Sequence, residues 1–182
     1  MNKKSLKTLE YTKIIELLTG FACCSGAKQL CRDLLPMTDK DAIEKEQRET
    51  TAALIRIFKH GSISFSGVAD IRASLKRLEI GSTLSQEELL HVCTLLENTN
   101  RVKQYSRNED NSDSSITDEI DWYFKGLEPL TPLSMEIRRC IISEDEIADD
   151  ASPELKSIRR KMRGINERVH SQLTSMTANT TT

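Results

Sequence analysis

The sequence predicts an all-α protein: a multi-helix core followed by a long protruding helix, the first arm of an antiparallel coiled coil. Three observations carry that prediction. Apolar residues recur every three to four positions through nearly every segment, and no apolar–polar alternation persists beyond about five residues. Glycine and proline are scarce, at seven and four of 182 residues, which disfavours a turn-rich sheet protein. The last segment repeats Leu155, Ile158, Met162, Ile165, Val169, Leu173 and Met176 at heptad-like spacing, with one longer step between Val169 and Leu173.

Each element follows from its local chemistry. Residues 9–21 gather Leu9, Ile14, Leu17, Leu18 and Phe21 on one side, and residues 26–35 form a shorter helix stopped by Pro36. Thr38 is the expected cap of a helix over 39–60 with the stripe Ile43, Leu54, Ile57 and Phe58, ended by Gly61. After a loop at 62–67, Ile71, Leu75 and Leu78 mark a helix over 68–80 that stops at Gly81. Ser85-Gln-Glu-Glu88 is a capping box opening the next helix through Leu89, Val92, Leu95, Leu96 and Val102. Residues 107–115, all polar or charged, read as a mobile loop. Short helices are expected at about 116–126 and 132–142, set apart by Pro129 and Pro132.

Residues 141–151 are acidic and have room for a short extended piece. Ser152 caps the terminal helix and Pro153 suits its first position. The organisation expected is a core domain over 1–142, an acidic connector over 143–152 and the terminal helix over 153–182. That helix ends in Thr177-Ala-Asn-Thr-Thr-Thr182 with no capping glycine, so it reads as half of a hairpin and the chain as a fragment. Fraying is expected beyond about Val169, because an apolar helix without a partner gains little from packing.

Sequence motifs exclude several chemistries. Cys23, Cys24 and Cys31 lack the Cys-x-x-Cys spacing and the nearby histidines of a structural zinc site, so they read as free helix thiols. The odd cysteine count points to a reducing, cytoplasmic compartment. His60, His91 and His170 stand apart from any nucleophile at a recognisable spacing. Counting an EF-hand loop from Asp110 puts Ser115 and Asp121 where Gly and Glu are needed. Neither phosphate-cradling glycine motif is present, and no apolar run reaches the roughly 18 residues of a membrane span. No catalytic, cofactor-binding or metal-binding constellation is expected within these residues.

Charge is strongly segregated. The net charge is −2, but residues 1–107 carry +4, residues 108–150 carry −10 and residues 151–182 carry +4. Lys156, Arg159, Arg160, Lys161, Arg163 and Arg168 flank the terminal apolar stripe. One reading is contact with nucleic-acid phosphates; the other is the solubilising outer face of a coiled coil, which charge alone favours.

Three blocks in order carry a family resemblance. The opening Leu9-Glu10-Tyr11 with Lys13-Ile14-Ile15 and Leu18 is the first. Asp70-Ile71-Arg72 with Leu75-Lys76-Arg77, Gly81 and Leu84-Ser85 is the second. The third and most specific is Ala151-Ser152-Pro153-Glu154-Leu155 with Ile158-Arg159-Arg160. Together they resemble the N-terminal part of the second bacterial branch of the MutS family, which is associated with suppression of recombination. The mismatch-reading Phe-x-Glu of the repair branch is absent, since Phe21, Phe58, Phe65 and Phe124 all lack Glu two residues on.

The resemblance implies the opening of a helical core and the start of a lever helix. It also implies a dimeric parent with an inserted clamp, ATP and Mg held in a further ATPase domain, and in many members a terminal nuclease domain. The implied partner is branched DNA, with ribosomes or rRNA as another target. No ATPase or nuclease residue carries over to this chain. The competing expectation is a non-catalytic helical adaptor that pairs through the terminal seam.

Overall fold

The computed structural model describes residues 3–107 and 118–178, so most of the expected polar loop and the first residues of the helix expected from 116 lie outside the described residues. Among the described residues there are nine helices and no strand. They are α1 (Lys3–Thr8), α2 (Tyr11–Phe21), α3 (Ser25–Asp33), α4 (Lys40–His60), α5 (Arg72–Glu79), α6 (Gln86–Arg107), α7 (Asp121–Lys125), α8 (Thr131–Cys140) and α9 (Pro153–Ala178). The all-α prediction and the long terminal helix are both observed.

The differences in detail have local causes. The helix expected from residue 9 begins only at Tyr11, and a separate short helix α1 precedes it, because Glu10 adopts a left-handed conformation (φ 52°) between the two. The cap of α4 is Asp39 rather than Thr38: the Asp39 carboxylate accepts from the backbone N–H of Ala42 at 2.9 Å. The helix expected from residue 68 begins only at Arg72, because Asp70 accepts from both the backbone and the guanidinium of Arg72, a local pairing that competes with helix. The same guanidinium holds the Asp70 carboxyl down to about 2.

Other expectations hold as read. Gly61 and Gly81 end α4 and α5 with φ near +80°, a conformation that side chains resist. In the capping box of α6, Ser85 N–H donates to Glu88 at 3.0 Å and Glu88 N–H donates to Ser85 Oγ at 3.3 Å. Ser85→Ala is expected to cost about 1 kcal/mol, lowering Tm by roughly 2–4 °C in a thermal melt.

The packed centre lies between α6 and α8. Cys93 is fully buried, with Ile137 and Ile141 against it and Leu89, Leu90, Val92, Cys140 and Ile147 around them. Arg138 of α8 forks onto Glu97 of α6 at 3.0 and 3.1 Å, closing the side of this contact. At the end of α6, Lys103 donates to the Leu127 carbonyl at 2.6 Å, tying in the segment after α7.

Helix α4 faces inward with an unexpected side. Glu49, Ala52 and Arg56, spaced three and four residues apart, are its buried residues. Of the expected stripe, Leu54, Ile57 and Phe58 are exposed, Phe58 by 81%. The reason is electrostatic. Arg56 donates to Asp118 at 2.8 Å and to Asp121, while Tyr123 donates to Glu49 at 3.1 Å, so charge pairs turn the polar side of α4 toward α7.

Much apolar surface stays in water. Leu17, Phe21, Leu30 and Leu35 of the α2–α3 region are among the most exposed. The described helices therefore carry broad apolar faces in water.

Candidate nucleic-acid interface

The connector positions the root of α9. A single antiparallel bridge joins Ile141 to Ile147, the short extended piece for which the acidic segment had room. Arg139 of α8 donates to the backbone carbonyls of Asp150 at 2.8 Å and Ala151 at 3.3 Å. Its guanidinium also lies against Glu136 and holds that carboxyl down to about 2. Ser152 Oγ then accepts from the Leu155 N–H at 3.1 Å, capping α9 as its sequence indicates.

From there α9 runs unbroken to Ala178, past Val169 where fraying is expected. Its backbone bonds are all local to the helix. Thr174 donating back to the His170 carbonyl at 2.9 Å is one further local bond on this outer stretch. Ile158, Met162, Ile165, Val169 and Leu173 are exposed by between 47% and 58%, so the heptad-like stripe faces solvent. Leu155, nearest the connector, is half-buried.

The six basic residues do not converge on one face. At 100° per residue, Lys156, Arg159 and Arg163 lie on one flank of the stripe with Arg160 beyond them opposite the stripe, whereas Lys161 and Arg168 lie on the other flank. Arg159 is held inward, donating to the Ile147 carbonyl at 2.7 Å and to Asp149 at 2.6 Å. Arg163 donates to the second oxygen of the same carboxylate at 2.9 Å. Arg159 first, and Arg163 with it, holds the Asp149 carboxyl below the ordinary carboxylate range. Arg168 bends back to the Gly164 carbonyl at 3.4 Å. Lys156, Arg160 and Lys161 are exposed, and no hydrogen bond or ion pair holds them among the described residues. Sequence reasoning missed Asp149, because its role depends on the bend that brings the connector back over the first turns of α9.

Other candidates do not assemble into chemistry. All five cysteines are free thiols. Among the described residues no group of three or more His, Cys, Asp or Glu is gathered to hold a metal ion, and no helix is long and apolar enough to cross a membrane. His60 packs edge-on against Tyr105, with ring centroids 6.1 Å apart.

A helical core with a long, basic, amphipathic terminal helix defines the class: an all-α protein whose last helix leaves its apolar stripe in water. No family model matches the chain. It is 48% identical over all 182 residues to an endonuclease MutS2 of Agathobacter rectalis, covering 23% of that protein. It is likewise 48% identical over 179 residues to endonuclease MutS2 of Lachnoclostridium phytofermentans, and 36% identical over 176 residues to that of a Clostridium botulinum strain, covering 22% of each. The chain belongs to the MutS2 family, and it spans less than a quarter of the length of the curated relatives it matches.

Proposed function

We propose that the chain is the N-terminal scaffold and lever root of a MutS2-type ATPase that binds branched DNA. On this reading residues 1–142 are part of the core, 143–152 the connector, and 153–182 the first arm of a paired lever. The observation that carries it is the single helix α9, which combines a solvent-facing apolar stripe with a basic flank in a chain related along its whole length to MutS2 proteins. The stripe is suited to a returning helix, and a paired helix resists bending, so motion at one end reaches the other. Lys156, Arg160 and their neighbours attract phosphate without regard to sequence.

ATP and Mg binding, dimerisation, a clamp and the endonuclease activity in the relatives' name belong to the remainder of such a protein. Suppression of recombination is the role we assign to the whole.

The test is competition between a labelled four-way junction and linear duplex for the intact gene product. Preference for the junction is expected, with affinity falling linearly in log–log against salt. Equal affinity for both, or none for either, overturns the proposal.

The exposed stripe also favours a second reading, a helical adaptor that self-associates through α9. Light scattering on the 182-residue chain separates the two. A concentration-dependent dimer abolished by Leu155→Asp with Ile165→Asp, together with absent junction binding, would favour the adaptor.

A further inference from the structure

We propose that Asp149 occupies, as an intramolecular carboxylate, a phosphate-binding site formed by Arg159 and Arg163, so that a nucleic-acid phosphate enters only by displacing it. The proposal rests on the reading of α9 as a nucleic-acid contact and adds a gate to it. Arg159 and Arg163 are one helical turn apart, which sets their guanidinium groups side by side on one flank. The two oxygens of Asp149 bridge them, one to each, at 2.6 and 2.9 Å. A phosphodiester offers two charged oxygens in the same bridging arrangement and competes for the same donors.

The site is open to such a competitor. The Arg163 and Asp149 side chains are 65% and 42% exposed, so the carboxylate is held by screened contacts rather than by burial. Arg159 is anchored differently: its bond to the Ile147 carbonyl keeps it in place when the carboxylate leaves. Displacement therefore removes the Asp149 tie between connector and α9 while leaving the Arg159 guanidinium in place and freeing that of Arg163 for the same phosphate. Because the connector is fastened to α8 through Arg139, occupancy of the pair also bears on how firmly α9 is fixed to the core. Phosphate contact and lever attachment become alternatives for one pair of side chains.

Fluorescence anisotropy with a labelled linear duplex at low salt tests this on the intact gene product. Asp149→Asn is expected to tighten binding about threefold to tenfold, the scale of releasing two exposed ion pairs. Asp145→Asn removes the same charge from the connector turn, where no ion pair to Arg159 or Arg163 is made, and is expected to change affinity far less. Equal gains from both variants would reduce the effect to net charge and overturn the proposal. No gain from Asp149→Asn, with binding still weakened by Lys156→Glu and Arg160→Glu, would overturn the gate and leave the nucleic-acid reading standing. Binding insensitive to all of these substitutions would remove both.

Discussion

Arg56→Ala lowers the stability of the chain by about 3 kcal/mol, the largest single-residue effect expected outside the apolar centre. Arg56 is 4% exposed and its guanidinium lies 4.7 Å from the centre of the Phe124 ring while it pairs with Asp118 and Asp121. Truncation leaves two carboxylates, 20% and 18% exposed, facing each other without the charge that joins them. Those exposures place the cost at the lower end for a broken buried pair. A thermal melt should show Tm lower by roughly 6–12 °C. Arg56→Lys should recover only part of the loss, because an ammonium cannot fork onto one carboxylate while reaching another.

The pH dependence has a definite sign. Burial raises the Asp118 carboxyl pKa, but hydrogen bonds from Arg56 and the backbone outweigh burial and leave it below its ordinary 3.8. Its contribution is therefore present above that value and is lost as pH falls through the folded pKa. The gap between wild type and Arg56→Ala should narrow on acidification below about pH 4.

On the proposed reading of α9, Lys156→Glu and Arg160→Glu together should weaken nucleic-acid binding by the gene product about tenfold to a hundredfold, and uniformly across sequences. Both side chains are exposed, so stability should change little. The log–log salt slope should fall in magnitude by about two, one for each phosphate contact removed. Lys161→Glu with Arg168→Glu carries the same charge change on the opposite flank and should cost markedly less. A matched loss from both pairs would mean that the helix acts through overall charge and not through a face.

The contrast between α6 and α4 shows what the sequence discloses. The capping box of α6 is complete within Ser85–Glu88, and glycine stops and the Ser152-Pro153 start are equally local, so their chemistry can be read directly. The inward face of α4 depends on Arg56 meeting Asp118 and Asp121, more than 60 residues away, and periodicity has no access to such a pairing. An apolar stripe predicts where a helix can bury itself, yet Leu54, Ile57 and Phe58 remain in water because the Arg56 pairs turn the opposite side of α4 inward. The basic flank of α9 was legible as a set of six residues. Its distribution about the stripe follows from helical geometry, but the capture of Arg159 and Arg163 by Asp149 required the fold of the connector.

Hydrogen exchange along α9 tests the lever assignment most directly, by comparing the 182-residue chain with the intact gene product. Amides from 158 to 176 should exchange quickly in the short chain, where the stripe faces water, and slowly in the gene product, at a level comparable to α6. Equally rapid exchange in both would contradict the account, because a lever arm that never pairs cannot transmit force along its length.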